Sequence, residues 1–380
     1  MSKISEKRIY FSGINGFRFI AALAVIITHI ELLKGFFGFK SYWSNPIIFN
    51  LGGMGVYFFF VLSGFLITYL LLVEKDKYGQ IAIKQFYIRR ILRIWPLYYL
   101  IILLGFFVLP RFNIFHISYL EDSFYKNFGA NLLLYILILP NLAFSLFPAV
   151  PNIGQLWSIG VEEQFYIMWP WLVSKSKNIV KTLIIFTVCL IVTKILVLIL
   201  GKFYSNTSWY GPLKMLVAMS KFECMAIGGI GAYLLFTKRT ILNFIYNKLI
   251  LVISIILIPV LIYITPNKLQ DGIHIIYSLL FLIIILNVSN KNQSNKFDSK
   301  FFNYLGGISY GIYMYHFMII PTVLFFCKNY LTLNSELLAN VFIYTLSILI
   351  TILISGLSYH FFEYPFIALK AKYSPIKSGN

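Results

Sequence analysis

The sequence predicts an all-α integral membrane protein with about ten transmembrane helices and one re-entrant or interfacial segment. Of its 380 residues, 59% are hydrophobic and only 12% are charged, about half the charged share of roughly 25% in soluble domains. The mean hydropathy is +0.80. Apolar stretches of about 20 residues, the length that crosses a bilayer as a helix, recur along the chain. Together these observations exclude a soluble globular protein.

Eleven apolar segments are candidates for membrane spans. They lie at about 13–33, 51–73, 88–109, 130–147, 155–173, 179–200, 213–236, 249–264, 273–288, 302–327 and 337–361. The segment 130–147 contains Pro140, and a crossing there would place the lysines of 175–181 on the face opposite to the other basic loops. We therefore interpret 130–147 as re-entrant or interfacial, which leaves ten spans.

The distribution of basic residues predicts the orientation of the chain. The net charge of +19 comes from 32 Lys and Arg against 13 Asp and Glu, and most of the basic residues fall in the segments between spans that share one face. Such an excess is typical of cytoplasmic loops rather than of a nucleic-acid surface. We expect both termini in the cytoplasm, a multi-pass location in the membrane that bounds the cytoplasm, and no nucleic-acid partner.

The sequence predicts one membrane-embedded domain over 1–380. The first apolar stretch lacks a small-residue cleavage site and is interpreted as a retained span. No long polar tract follows the last span, so we expect no fused soluble domain. Three cysteines without CxxC spacing, Cys189, Cys224 and Cys327, indicate neither a disulfide framework nor a zinc site, and we expect no metal.

The first predicted span carries two ionisable residues on one face. Arg18 and His29 are eleven positions apart, and eleven steps of about 100° end within about 20° of full turns, with about 16 Å between them along the helix axis. Ionisable groups at membrane depth cost about 2.5 to 3.5 kcal/mol each and are candidates for function. The alternative for His29 is a buried imidazole that only bonds a neighbouring helix.

Two more titratable residues are predicted at the depth of His29. Counting about 1.5 Å per residue in a core of about 30 Å places His29 about 22 Å from the inner boundary, and Glu162 and His316 about 21 Å from it. We therefore expect these three residues, which come from three different spans, to converge on one cavity.

A second cluster lies where the third span begins. Arg89, Arg90 and Arg93 precede an apolar run, and Arg90 and Arg93, three positions apart, share a helix face. Guanidinium groups at the start of a helix are suited to bidentate phosphate binding. The alternative is a topology signal or an anchor for lipid headgroups.

These groups suit acyl transfer from coenzyme A. Its phosphates would contact Arg90, Arg93 and Arg18, and its pantetheine arm would carry a thioester towards His29. The imidazole would act as a general base on a hydroxyl acceptor or would attack the thioester itself. Glu162 would orient the imidazole as the acid of a catalytic triad does. The candidates for an oxyanion donor are backbone amides, Tyr166 and Ser309.

Six stretches of the chain resemble the acyltransferase-3 family of bacterial membrane O-acyltransferases, in the family's order and over nearly the whole length. They are INGFRFIAALAVIITH (14–29), GVYFFFVLSGFLI (55–67), FYIRRILRIWPLYY (86–99), LWSIGVEEQFYIMWP (156–170), ISYGIYMYH (308–316) and FFEYP (361–365).

The resemblance implies about ten spans, acetyl-CoA as the usual donor, and a glycan or other hydroxyl as acceptor at the outer face of the membrane. The family's Arg and His pattern matches Arg18 and His29, and its RxxR pattern, implicated in acyl-CoA use, matches Arg90 and Arg93. The chain departs from the family at two positions. Gly160 replaces a serine of an SxExQFY motif, and Tyr57 replaces an aspartate common in a GVDxFF pattern.

Two other functions compete with acyl transfer. A transporter or flippase would use the intramembrane Arg, His and Glu residues to line a permeation path. A structural or sensory protein would use them to hold helices together. The hypothesis of an acyl-transfer enzyme predicts coenzyme A binding that depends on Arg90 and Arg93. The expected partners are an acyl-CoA, a hydroxyl acceptor and membrane lipid, whereas the oligomeric state is not predicted.

Overall fold

The computed structural model describes residues 9–265, 272–290, 296–331, 335–374 and 376. Within these ranges the chain forms seventeen α-helices joined by short turns, and no β-strand, so the predicted all-α class is confirmed. The helices, numbered in chain order over the described residues, are α1 (Ile14–Lys34), α2 (Pro46–Tyr78), α3 (Ile83–Leu103), α4 (Ser118–Lys126), α5 (Phe128–Ile136), α6 (Pro140–Leu146), α7 (Leu156–Lys175), α8 (Ile179–Tyr204), α9 (Tyr210–Met219), α10 (Phe222–Phe236), α11 (Ile241–Ile245), α12 (Lys248–Ile264), α13 (His274–Val288), α14 (Lys300–Gly307), α15 (Ser309–Tyr330), α16 (Glu336–Ser358) and α17 (Tyr364–Lys370).

The described helices include seven stretches that are long and apolar enough to cross a membrane. They are Ile14–Phe37, Pro46–Tyr78, Ile83–Arg111, Ile179–Tyr204, Tyr210–Phe236, Ser309–Tyr330 and Glu336–Tyr373. Two shorter apolar helices, α12 and α13, add to them, and α7 coincides with the candidate segment at 155–173. The protein is therefore a multi-pass membrane protein, whereas the count of ten spans is not confirmed.

The segment 130–147 is not one continuous helix. It is divided between α5, of 9 residues, and α6, of 7 residues, with Ile138 between them in a left-handed conformation (φ 60°) and Pro140 as the first residue of α6. At about 1.5 Å per residue each helix is far shorter than a hydrocarbon core of about 30 Å. Neither helix crosses the bilayer by itself, which supports the re-entrant or interfacial interpretation.

Glycines let the central helices approach closely. An added Cβ at Gly64 of α2 would lie 1.9 Å from the carbonyl oxygen of Met225 in α10, and at Gly55 it would lie 2.5 Å from that of Ala21 in α1. Small residues at such crossings allow backbone contact, which is how helices gain packing energy in lipid. α2 therefore lies directly between α1, which carries the ionisable residues Arg18 and His29, and α10.

We call the end of the bundle that holds the start of α1 the inner end, and it is the end predicted to face the cytoplasm. A π-helical turn at Tyr359–Glu363 connects α16 to α17, which packs against α3. The helical path continues from Glu336 through this turn to Tyr373. The C-terminal helix thereby lies beside the arginines of α3.

The segment before α1 is tied to the segment before α14. Tyr10 and Ser12 donate hydrogen bonds to the carboxylate of Asp298, and the Asn15 amide donates to Asn303 at 3.1 Å. Burial acts to raise the pKa of Asp298, but the hydrogen bonds from Tyr10, Asn303 and Ser12 outweigh it and lower that pKa. The carboxylate is therefore ionised at neutral pH and can accept all of these bonds.

Substituting Gly64 should destabilise the protein. We expect Gly64→Ala to cost about 1 to 3 kcal/mol of unfolding free energy, because its methyl group would overlap the α10 backbone. Gly53→Ala, in the same helix but with no atom within 4 Å of the added Cβ, is the matched control. Thermal unfolding in detergent, followed by fluorescence, measures both. Equal melting temperatures for the two variants would contradict the close α2–α10 contact.

Candidate active site

A cavity of about 770 Å³ opens within the inner end of the bundle. This volume lies within the range of about 300 to 1,000 Å³ of small-molecule sites. Six of the eight residues proposed from sequence line the cavity: Arg18, Arg90, Arg93, Glu162, Tyr166 and Ser309. The other two, His29 and His316, lie outside its lining.

Positive charge dominates the cavity. Besides the three arginines, Lys370 at the end of α17 lines it, against the two carboxylates of Glu162 and Glu363. Among the described residues, none of these four cations has a carboxylate oxygen within salt-bridge distance. Clustered cations without counter-ions are costly inside a membrane protein, and a bound anion would offset that cost.

Arg90 is held in place by aromatic rings. Its guanidinium carbon lies 5.5 Å from the centroid of the Phe86 ring and 5.5 Å from that of Tyr166, and its buried Nε has no hydrogen-bond partner among the described residues. The rings restrict the side chain through cation–π contact while leaving its donors free. Arg90 is thus oriented by its neighbours without being neutralised by them.

Arg89 has a different environment from Arg90 and Arg93. It donates to a carboxylate oxygen of Glu74 at 3.4 Å and to the carbonyl of Tyr373 at 2.8 Å, and it is not among the residues that line the cavity. Consecutive residues of a helix point about 100° apart, whereas residues three apart share a face. The predicted shared face of Arg90 and Arg93 is therefore the face turned to the cavity.

Glu162 lies in the cavity wall and not beside a histidine. Its Oε1 accepts a hydrogen bond from the Ser63 hydroxyl at 2.7 Å, and among the described residues it makes no hydrogen bond to His29 or His316. The neighbouring Glu163 faces α3, where it accepts from the Trp95 indole at 2.9 Å. The three titratable residues expected at one depth are thus divided between the cavity wall and a histidine pair.

His29 and His316 form that pair. Nδ1 of His29 lies 2.8 Å from Nε2 of His316, and Nδ1 of His316 lies 2.7 Å from the carbonyl oxygen of Tyr313. The two rings are nearly parallel, with 16° between their planes and 5.0 Å between their centroids. His316 is fully buried, whereas His29 is half-buried. The helices α1 and α15 therefore bring together two of the predicted residues.

Tyr313 connects the cavity to the histidine pair. Its ring lines the cavity and lies 5.7 Å from the His316 ring. Its hydroxyl is 2.7 Å from the Ser158 hydroxyl and donates to the Gln155 carbonyl at 3.1 Å. Sequence reasoning missed Tyr313, although its place three residues before His316, on the same helix face, was a usable signal. It also missed Lys370, whose position depends on the turn after α16.

The two side chains predicted as oxyanion donors, Ser309 and Tyr166, both lie at the cavity. The Ser309 hydroxyl donates to the Gly306 carbonyl at 2.8 Å, and Tyr166 packs beneath the Arg90 guanidinium. Both residues line the cavity, whereas both members of the histidine pair lie outside its lining.

The structure explains Gly160, one of the two departures from the family motifs. An added Cβ at Gly160 would lie 2.7 Å from the Pro140 ring. Next to this contact, the side-chain amides of Asn141 and Gln164 exchange two hydrogen bonds, of 3.1 and 2.7 Å. A serine would separate α6 from α7, so glycine suits the docking of the interrupted segment.

The second departure, Tyr57, lies near another group of charged residues. The Lys221 amine is 5.5 Å from the centroid of its ring, and the His274 ring is 6.1 Å away. Oε1 of Glu223 forms an ion pair with Lys194 and lies within hydrogen-bond distance of Nε2 of His274, whereas its buried Oε2 has no hydrogen-bond partner among the described residues. These contacts join α2, α8, α10 and α13. In the part of the chain that the structure covers, no group of three or more His, Cys, Asp or Glu is placed to hold a metal ion.

Comparisons with known proteins agree with the predicted chemistry. A protein of Staphylococcus aureus (strain COL) named "Putative O-acetyltransferase SACOL0978" is 28% identical over 380 residues, which cover 95% of this chain and 58% of that protein. The O-acetyltransferase OatA of S. aureus (strain NCTC 8325 / PS 47) is 27% identical over 375 residues, 94% of this chain and 57% of OatA. The chain thus spans somewhat more than half the length of these relatives. No solved structure matches it.

The sequence model of the acyltransferase-3 family, described as an acyltransferase domain, matches residues 11–360. The matched range contains the three cavity arginines and both members of the histidine pair. It covers most of the chain, and the protein therefore belongs to the acyltransferase-3 family.

Proposed function

We propose that the protein is a membrane O-acyltransferase that moves an acyl group, acetyl in the first instance, from cytoplasmic coenzyme A to a hydroxyl group of a surface or lipid-linked glycan at the outer face of the membrane. The observation that carries this proposal is the unneutralised cationic cavity whose wall, at Tyr313, contacts the histidine pair. A cation-lined cavity suits the phosphates of the donor, and an imidazole suits the transfer step.

In this proposal the donor enters from the inner end. Its phosphates are held by Arg90, Arg93 and Arg18, with Lys370 as a fourth cation, because guanidinium and ammonium groups are the usual protein ligands of phosphate. The pantetheine arm extends along the wall formed by Ser63 and Glu162. The carboxylate of Glu162 is suited to accept from the amide N–H groups of that arm, a role in positioning rather than in orienting His29.

The transfer step is proposed at His29. As a general base, Nε2 takes the proton of the acceptor hydroxyl, the oxygen attacks the thioester carbonyl, the C–S bond breaks, and the thiolate of coenzyme A leaves and recovers the proton from the imidazolium. As a nucleophile, the same nitrogen displaces the thiolate to form an acyl-imidazolium; the acceptor hydroxyl then attacks the acyl carbonyl, the C–N bond breaks, and the hydroxyl proton passes to the thiolate. Both routes need the thioester to pass Tyr313, and both end with one ester formed and one thiol released.

The acceptor is proposed from the relatives and from the predicted topology. The relatives' names specify acetyl transfer to oxygen. With both termini in the cytoplasm of a bacterial cell, α1 rises from Arg18 near the inner boundary to His29 in the outer half. An acceptor glycan would then reach His29 from the outside, while the donor stays on the cytoplasmic side.

Arg90→Ala should weaken donor binding. Loss of one hydrogen bond between charged groups costs about 1.5 to 3 kcal/mol, so we expect the dissociation constant of acetyl-CoA to rise about tenfold to a hundredfold. Calorimetry on the purified protein in detergent measures it.

The matched control is Arg89→Ala, which removes the same charge from the adjacent position of α3. Because Arg89 binds Glu74 and the Tyr373 carbonyl, we expect this variant to lower the melting temperature and to leave donor affinity within about twofold. If both variants lost affinity equally, donor binding would depend on the total positive charge of this region and not on a specific phosphate site at Arg90.

His29→Ala should abolish transfer without weakening donor binding. General-base catalysis contributes about 10²- to 10⁴-fold, and His29 lies outside the donor cavity. Purified protein incubated with radiolabelled acetyl-CoA and membrane glycan reports transfer, and calorimetry reports binding. Equal transfer by wild type and variant would exclude His29 from the mechanism. If the wild type moved a glycan substrate across vesicles without acyl-CoA, the transporter hypothesis would replace the enzyme.

A further inference from the structure

The hydrogen bonds of the histidine pair determine where its protons lie. A carbonyl oxygen only accepts hydrogen bonds, so the short contact between Tyr313 and His316 requires a proton on Nδ1 of His316. A neutral imidazole carries one N–H, and Nε2 of His316 is therefore an acceptor. The proton of the 2.8 Å contact then belongs to Nδ1 of His29, which leaves Nε2 of His29 with a free lone pair.

We propose that His316 is a positioning residue that holds His29 in the tautomer with its proton on Nδ1 and so presents Nε2 as the reactive atom. The proposal rests on the proposed function for the chemistry performed by Nε2. His316 would take the place that a carboxylate holds in a serine hydrolase triad, where the wrong imidazole tautomer is inactive. The sequence predicts that Glu162 orients the His29 imidazole, and in this proposal His316 has that role.

The surroundings keep this chain of hydrogen bonds rigid. The Tyr313 carbonyl belongs to α15, and the hydroxyl of the same residue is held by Ser158 and Gln155. The ring of Phe317 packs edge-on against His29, with 4.7 Å between centroids. Fixed partners and an apolar neighbour limit rotation of the imidazole, which is what preorganisation of a catalytic group requires.

A neutral partner suits this position better than a carboxylate. An ionised carboxylate fully buried in a membrane bundle carries a large desolvation cost, whereas a neutral imidazole carries much less. When Nε2 of His29 takes a proton from the acceptor, Nδ1–H still donates to His316, and Nδ1–H of His316 still donates to the Tyr313 carbonyl. The dipole of that carbonyl stabilises the transient positive charge, and no proton has to leave the pair.

The proposal is tested first on the wild-type protein. Histidine labelled with ¹⁵N, assigned by comparison with His29→Gln, should show Nδ1 of His29 protonated, Nε2 of His29 unprotonated, and a scalar coupling between the two nitrogens that share the proton. The reverse tautomer, or the absence of that coupling, would overturn the proposal. This measurement needs no substrate, so its outcome is separate from the success of the acyl-transfer assay.

Two substitutions of His316 then connect the tautomer with turnover. His316→Leu removes the acceptor at similar volume, and we expect kcat to fall about 10²- to 10⁴-fold, the donor dissociation constant to stay unchanged, and the His29 signals to report a mixture of tautomers. His316→Gln keeps an acceptor near Nε2, so we expect a single tautomer and turnover within about tenfold of wild type. His116→Leu, on a segment outside the cavity, is the control and should match wild type.

The comparison separates the two hypotheses. If wild type transfers acyl groups and a folded His316→Leu variant has wild-type kcat, or if His316→Gln is as inactive as His316→Leu, the positioning role is excluded while the proposed function stands. If wild type transfers no acyl group to any hydroxyl acceptor, the proposed function fails. The ¹⁵N spectrum then decides only whether the pair exists as described.

Discussion

The arrangement of this protein depends on one constraint: polar groups inside a lipid-embedded bundle must find partners within the protein. Glu31 and Lys34 pair with each other at full burial, and Glu223 pairs with Lys194 and His274. The cavity cations, by contrast, have no carboxylate partner among the described residues. Four cations against two carboxylates leave excess positive charge in the cavity. A bound anion would offset it, and this charge balance therefore carries the proposed function.

The site has two parts that different contacts create. The cavity depends on α3 and on the turn after α16, which bring Arg90, Arg93 and Lys370 to one wall. The histidine pair depends on the packing of α1 against α15. Tyr313 belongs to both parts, because its ring lines the cavity and its carbonyl binds His316. The proposed donor binding and the proposed transfer are therefore separable in experiments, although α1 and α15 contribute to both parts.

Sequence reasoning succeeded for features that follow from helical periodicity or from hydropathy. The shared face of Arg90 and Arg93 follows from their spacing of three, and the all-α membrane class follows from hydropathy. It could not assign partners to residues of similar depth. Glu162 and His316 are predicted at nearly the same distance from the inner boundary, yet only His316 contacts His29. Depth along a helix does not specify which face turns towards which neighbour.

The sequence by itself determined that the protein lies in a membrane, and it determined the helical class, the family and six residues that line the cavity. It could do so because composition, periodicity and motif order can be read directly from the chain. Only the tertiary structure decided that His316 rather than Glu162 bonds His29, that Arg89 binds Glu74 while Arg90 faces the cavity, and that Lys370 lines the cavity. These outcomes depend on helix rotation and on a π-helical turn, and close packing between helices distant in sequence sets both.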